Sequence, residues 1–373
     1  MNAAPRWLLP PRADAVALAA LVLALPGLWL APTMFFACWL AAWWYWMGVA
    51  LGALVNAWIH ALTGGRWGLA LGLFARPLAR RVPWLVIAGL PLAAGLARVF
   101  PWAGTGDWTQ GIDLPDFQRI WYTPVFFWTR MALLALTWWT VSRPAVFARK
   151  GRVAGAILLW LVTGTLATVD LVDSLVPGWI STGSGLVVLA GGVLGGAALA
   201  TLAAAGLAPG AFPTSPPRPA IKSDPPVWRD LGNLLLAWTM VWAYLAFMEF
   251  LIVWAEDLPR ETSWFLPRLE GGWAVVGVAL AAGQFALPFL LLLWRRIKDA
   301  PRRLARIAAG LALGQLLNTA WLVLPSVAPH DPRGWWLLPL LAIAIGLPAV
   351  ARAVRDAASH PEPGPARAEV AHA

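Results

Sequence analysis

The sequence has few of the side chains that bind redox cofactors. Its 373 residues include one cysteine, Cys38, and four histidines, which are His60, His330, His360 and His372. An iron–sulfur cluster usually takes four cysteines, and a b-type haem in a helical bundle usually takes two facing histidines. Because only His60 lies near a predicted membrane segment, we expect this chain alone to bind neither cofactor. A single cysteine also excludes an internal disulfide.

Charged residues are scarce as well. They make up 12% of the chain, whereas hydrophobic residues make up 60%. This balance leaves too little polar surface for a water-soluble protein and predicts a polytopic, all-α membrane protein. The net charge of +10 does not indicate nucleic-acid binding, because the basic residues form short runs between apolar segments rather than one basic face.

Long apolar segments fill most of the chain. Each is long enough to cross about 30 Å of hydrocarbon at 1.5 Å per residue. We predict ten crossings, at residues 13–30, 33–62, 82–100, 121–141, 153–175, 184–207, 227–255, 271–294, 304–324 and 335–351. Most lysines and arginines then lie on one side, so the positive-inside rule places both termini in the cytoplasm.

The proline-rich stretch PTSPPRPAIKSDPP interrupts this pattern. It predicts an N-terminal membrane half of six helices (residues 1–207), a cytoplasmic linker (208–226) and a C-terminal half of four helices (227–352). Residues 353–373 are predicted to form a disordered tail. The 27 tryptophans are explained mostly by membrane-interface belts and packing.

Several ionisable residues lie within the predicted crossings, where an unpaired charge is costly, and four of them concern us here. Arg130 is halfway along the fourth crossing, and Glu249 lies inside the outer end of the seventh at a similar depth. We therefore expect these two side chains to pair. Asp170 and Asp173 stand three residues apart in the fifth crossing, so we expect them on one helix face, with Asp170 buried.

Three further residues complete a set of polar groups at graded depths. His60 ends the second crossing on the cytoplasmic side, and Tyr244 and Gln284 can bridge between charged groups. Such a series suits a proton path from His60 through Arg130 to Glu249 and the two aspartates. The alternative is a static buried ion pair that fixes the helix register, with no role in proton transfer.

Four motifs carry a resemblance to a known family. They are HALTGGRWG (60–68), TVDLVDSLVPGWIST (168–182), WAYLAFMEFLIVWAEDLPRETSWFLPR (242–268) and QFALPFLLLLWR (284–295). In this order they resemble the second quinone-binding subunit of alternative complex III, a bacterial quinol:cytochrome c oxidoreductase. The similarity runs from the second crossing through WLVLP (321–325), which is most of the chain.

The resemblance implies a ten-helix subunit of the polysulfide-reductase-like class, with two four-helix bundles between peripheral first and last helices. It also implies a bacterial inner membrane, partner subunits that carry haems c and iron–sulfur clusters, and a contribution to proton movement, a quinol cavity or assembly. The family often has histidine at the positions of Ala61 and Gln284 and glutamine at Glu249. A scaffold subunit and an autonomous transporter are the rival functions.

Overall fold

The computed structural model describes residues 10–106, 108–109, 116–176, 178–179, 181–207, 225–329 and 334–359. Within these ranges all regular secondary structure is helical. The first helices are α1 (Pro10–Ala24), α2 (Gly27–Leu30), α3 (Pro32–Thr63), α4 (Trp67–Ala79), α5 (Val82–Ala88), α6 (Leu92–Val99), α7 (Asp116–Trp121), α8 (Pro124–Val141), α9 (Lys150–Leu171) and α10 (Ser184–Leu207). The remaining ones are α11 (Pro225–Glu256), α12 (Pro259–Thr262), α13 (Leu266–Leu269), α14 (Gly271–Leu280), α15 (Leu287–Leu293), α16 (Arg295–Lys298), α17 (Pro301–Val327) and α18 (Leu337–Ser359).

Eight helical segments in the described ranges are long and apolar enough to cross a membrane. They are Arg12–Leu30, Pro32–Thr63, Lys150–Leu175, Ser184–Gly206, Val227–Glu256, Gly271–Leu293, Pro301–Val327 and Leu337–Ala358. The pair α5 and α6 makes a ninth if its 56° bend lies within one crossing. The prediction of an all-helical, multi-pass membrane protein is therefore confirmed at this level.

Three boundaries differ from the prediction. The third predicted crossing is broken between α5 and α6, where Gly89 and Pro91 interrupt the helix. The fourth is not among the eight segments, because α8 contains Arg130 and begins only at Pro124. The predicted tail is helical up to Ser359, since α18 continues past the apolar stretch. Residues 208–224 of the predicted linker and 360–373 of the tail lie outside the described residues.

Helix α3 forms the centre of the fold and packs against α4, α10, α17 and α18. Its closest neighbour is α10, through glycines spaced four apart on both helices. A Cβ atom added at Gly52 would lie 2.1 Å from the Gly192 carbonyl oxygen, and one at Gly196 would lie 2.2 Å from the Ala53 nitrogen. These glycines let the two backbones touch, which is how helices without a hydrophobic driving force between them associate in lipid.

The helices give the molecule two distinct ends. We call the end formed by residues 64–81, 142–150 and 294–300 the basic end, because it carries most of the connecting arginines and lysines. The opposite end is formed by residues 100–106, 116–123, 172–176 and 256–270. Helix α4, which the sequence did not predict, lies at the basic end and packs on α3, α10 and α18.

Candidate functional site

Arg130 forms a buried ion pair with Asp170. Its Nε atom donates to Asp170 Oδ2 at 2.9 Å and Nη2 donates to Oδ1 at 2.8 Å, while Nη1 donates to the Trp121 carbonyl at 2.9 Å. The indole N–H of Trp121 donates to the same carboxylate at 2.8 Å. The side chains are 9% and 0% exposed. The guanidinium also stacks on Trp121 and Phe126, at 4.0 and 4.6 Å from the ring centres.

The predicted pairing of Arg130 with Glu249 is therefore wrong. The depths of the two residues were compatible, but their helices have different neighbours. Helix α8 packs against α9, which carries Asp170, whereas α11 packs against α10 and α15. Asp170 is buried, as predicted. It does not share a helix face with Asp173, because α9 ends at Leu171 and Asp173 begins a separate 3-10 turn.

Glu249 is connected to the start of α10 through a serine. The Ser181 hydroxyl donates a hydrogen bond to Glu249 Oε1 and accepts from the backbone N–H groups of Gly183 and Ser184, at 3.0 and 3.1 Å. Ser181 thus satisfies the first amides of a 24-residue helix. A negative charge at this end of α10 is favoured by the helix dipole, so Glu249 is held where a carboxylate is stabilised.

Asp173 lies on the other side of the same helix start. Its Oδ2 atom accepts a hydrogen bond from the Ser184 hydroxyl at 2.7 Å, and the residue is 2% exposed. Its Oδ1 atom is buried and has no partner. A buried carboxylate oxygen without a partner requires a proton on the carboxyl group or a bound water. Two carboxyl groups therefore flank the α10 start, each bonded to a different serine.

Arg268, between α11 and α14, is a buried cation that its sequence context does not mark. It is 0% exposed, and its guanidinium lies 3.3 Å from the ring centre of Trp264. Its donors bind the carbonyls of Trp264, Trp321 and Leu322 and the Ser326 hydroxyl. Burial lowers the pKa of this guanidinium, and the nearby Asp173 carboxylate opposes that shift.

A large cavity joins Glu249 and Arg268. Its volume is about 830 Å³, and α11, α13, α14 and α17 form its walls. The cavity opens sideways between α11 and α14, where Phe247 and Val278 are 58% and 70% exposed. Most of its lining is apolar or aromatic. This is the character of a site for an apolar ligand that carries a few polar atoms.

Three buried N–H donors on the cavity residues have no hydrogen-bond acceptor. They are the indole N–H groups of Trp242 and Trp264 and the side-chain amide Nδ2 of Asn318. Buried donors without an acceptor are uncommon and costly. Together with the half-buried Glu249, the set comprises three donors and one carboxylate, and the three nitrogen atoms are covered, so that they would reach a ligand or water only after small side-chain shifts. A ligand with oxygen acceptors and a hydroxyl group would complement this set.

Of the other predicted site residues, Tyr244 lines this cavity, and Gln284 and His60 do not. Tyr244 is at the cavity rim and is 62% exposed. Gln284 is buried in the π-helical segment Ala281–Ala286, and its Nε2 donates to Gln315 Oε1 at 3.0 Å. His60 is at the basic end, where its Nε2 lies 2.8 Å from the Gly65 carbonyl oxygen. About 42 Å of α3 separates His60 from the opposite end.

The structure thus brings together Glu249, Asp173 and Arg268 in one region and Arg130 with Asp170 in another. Ser181 and Arg268 were missed because nothing in their sequence context marks them. Both lie in short segments between helices, where a hydroxyl or a cation normally faces solvent. No protein-family model and no curated protein sequence matches the chain.

Proposed function

We propose that this chain is a non-redox, membrane-embedded subunit of a bacterial quinol:cytochrome c oxidoreductase of the alternative complex III type, in which it contributes to a quinol cavity and to proton movement. The proposal includes ten crossings, two four-helix bundles, cytoplasmic termini and an inner-membrane location. Haems c and iron–sulfur clusters would belong to partner subunits. The observation that carries it is the apolar cavity with one carboxylate, Glu249, and three unsatisfied N–H donors.

The chemistry of a quinol fits this cavity. A quinol is flat and apolar, carries two hydroxyl groups and enters from the hydrocarbon phase, which the lateral opening between α11 and α14 would allow. Glu249 would accept a hydrogen bond from one hydroxyl, and the indole groups of Trp242 and Trp264 would donate to ring oxygens. Because one cysteine and four histidines are too few for the expected haem or cluster ligands, the proposal assigns electron transfer to a partner, whereas protons can pass to Glu249.

A proton on Glu249 would need ordered water to reach Asp173, because the Ser181 hydroxyl donates to Glu249 and accepts only from backbone N–H groups, which do not relay protons. Ser181 bonds to Glu249, and Ser184, which bonds to Asp173, donates its backbone amide to the Ser181 hydroxyl. The partnerless Oδ1 of Asp173 is a further place for a proton or a water. Arg130 and His60 have no part in this path, because Arg130 is held by Asp170 and His60 is at the basic end.

Purification from native membranes in mild detergent tests the assignment to a complex. We expect the chain to co-elute with haem c absorbance and with iron–sulfur subunits. A colourless chain that elutes alone would contradict the proposal, and solute uptake by vesicles containing it would favour the transporter.

Glu249→Gln tests the cavity separately. In the assembled complex we expect weaker quinol turnover and an altered number of protons released per electron, because an amide cannot accept the quinol proton. Asp116→Asn, on the exposed start of α7, is the control. Unchanged turnover and proton release in Glu249→Gln would remove this residue from the mechanism.

A scaffold subunit is the second candidate, and one observation favours it. In the buried pair of Arg130 with Asp170, both carboxylate oxygens are bonded, and neither residue lines the cavity. Such a pair stabilises helix packing and cannot relay protons without breaking. If quinol stabilises the complex against unfolding equally in the wild type and in Glu249→Gln, the scaffold interpretation becomes the better one.

A further inference from the structure

A second cavity lies at the basic end, between α1, α5 and α18, and we call it the α1–α18 slot. Its volume is about 570 Å³. Asp14, Arg81 and Arg352 line its mouth. Its walls are apolar and include Leu18, Leu21, Ile87, Pro91 and Ile345. From Asp14 to Leu21 the slot follows α1 for seven residues, which is about 10 Å along the helix.

Both arginines at the mouth are oriented by aspartates. Arg352 donates from Nη1 and Nη2 to the two oxygens of Asp14, at 2.8 and 2.9 Å, and Arg81 donates to Asp356. The pairs are not sealed from the surroundings, since the side chains of Arg352 and Asp14 are 35% and 42% exposed. The Nε atom of Arg81 is buried and has no acceptor. An anion at the mouth would contact the exposed parts of the two arginine side chains, which are 24% exposed for Arg81 and 35% for Arg352.

The charge around the slot is positive. Three exposed arginines lie within three residues of a mouth residue in the sequence, namely Arg12, Arg80 and Arg355. This corner of the molecule therefore has five arginines against two aspartates, Asp14 and Asp356. Below the mouth, the slot is open on its side, because Leu18 is 62% exposed and Ile87 is 56% exposed. A cationic mouth above a laterally open apolar slot matches an amphiphile with a negative head.

We propose that the α1–α18 slot binds one membrane phospholipid with an anionic headgroup, its phosphate at Arg81 and Arg352 and an acyl chain along α1 and α18. Guanidinium groups bind phosphate oxygens with paired hydrogen bonds, and basic pockets between membrane helices recognise anionic lipids. A zwitterionic lipid would place a second positive charge beside the arginines. A free phosphate would leave the apolar slot without an occupant. The proposal does not depend on the quinol function.

Lipid binding can be measured on the full chain in neutral detergent. Delipidated protein is titrated with phosphatidylglycerol, phosphatidylcholine, inorganic phosphate or glycerol 3-phosphate, and bound lipid is counted by native mass spectrometry alongside thermal unfolding. We expect one phosphatidylglycerol to bind and raise the unfolding temperature. Equal binding of phosphatidylcholine would overturn the headgroup assignment. Equal protection by the soluble phosphates would overturn the lipid assignment.

Three variants test the contacts of the lipid headgroup and of the acyl chain separately. Arg81→Gln and Arg352→Gln should each weaken phosphatidylglycerol binding about fivefold, as expected for one basic residue near an anionic headgroup. Ala344→Phe fills the slot and leaves both arginines in place, so it remains informative if the arginine variants fold poorly. Arg229→Gln, which breaks a similar pair with Asp299 elsewhere at the basic end, should bind as the wild type does. Wild-type affinity in Ala344→Phe would overturn the proposal.

Discussion

Substitution of Arg130 by methionine tests whether the Arg130–Asp170 pair stabilises the membrane fold. Methionine is close to arginine in volume but cannot bind a carboxylate. Asp170, which is 0% exposed in its side chain, would retain only the Trp121 N–H as a donor. Removing one partner of a buried pair costs about 3–5 kcal/mol, because the remaining charge is neither solvated nor neutralised. We expect Arg130→Met to lower the free energy of unfolding by that amount.

The double variant Arg130→Met/Asp170→Val provides a second test of the ion pair. It removes both charges, so the desolvation penalty of an unpaired carboxylate disappears. The remaining cost is the loss of an acceptor for the Trp121 N–H, about 1–2 kcal/mol. The double variant should therefore be more stable than Arg130→Met alone. A double variant that is more stable than Arg130→Met shows that the two residues act as a coupled ion pair, because independent contributions to the free energy of unfolding would add.

Reversible unfolding in mixed detergent micelles, followed by tryptophan fluorescence, measures these differences. Arg229→Met is the control, since the Arg229–Asp299 pair is accessible, with side chains 36% and 29% exposed. It should change stability little, as accessible ion pairs do. A cost below about 1 kcal/mol for Arg130→Met, or a double variant as unstable as the sum of the singles, would refute the argument.

The remaining predictions concern other parts of the molecule. The hydrogen bonds from Arg229 lower the pKa of Asp299, so their small stabilisation is present above the carboxyl's unfolded pKa of about 3.9 and is lost as the pH falls through its lower folded value. Asp299→Asn should slightly flatten this acid limb of a pH–stability curve, and an unchanged limb would contradict the prediction. Gly52→Ala should cost about 1–3 kcal/mol because its Cβ would lie 2.1 Å from the Gly192 carbonyl oxygen. A Cβ atom added at Gly206 would have no neighbouring atom within 4 Å, so Gly206→Ala should not destabilise the protein. Equal unfolding temperatures for the two glycine variants would refute the α3–α10 contact.

The length of the apolar segments predicted the fold class well. The long runs that became α3, α9, α10, α11 and α17 each coincide with a predicted crossing to within a few residues, and α18 begins near its predicted start but continues to Ser359. The errors fall where apolarity and backbone geometry conflict. Gly89 and Pro91 keep the third segment apolar but break its helix, and the 13-residue α4 is too short to register as a crossing.

The candidate site was predictable only in part. Depth along each helix singled out Glu249, Arg130 and Asp170 as ionisable residues inside the crossings, since that requires only a count from the helix ends. Which of them pair depends on which helices are neighbours. The order of helices around the bundle is set by contacts such as the glycine-lined α3–α10 interface, and no single segment encodes it. The pairing of Arg130 was therefore the part that failed.

The true pairing changes which residues can take part in proton transfer. Arg130 neutralises Asp170, so this pair adds no net charge near the cavity. That leaves Asp173 near the buried cation Arg268, and Glu249 on the wall of the cavity that Arg268 also lines. The hydrogen bonds of Arg268 go to carbonyls and a hydroxyl rather than to a carboxylate. Two carboxyl groups near one cation repel each other when both are ionised, so a proton on one of them is favoured. The proton-exchanging unit of this proposal is therefore the Glu249–Asp173 pair at the start of α10, and Ser181→Ala, which removes the hydroxyl next to Glu249, should alter proton release even with both carboxyl groups intact.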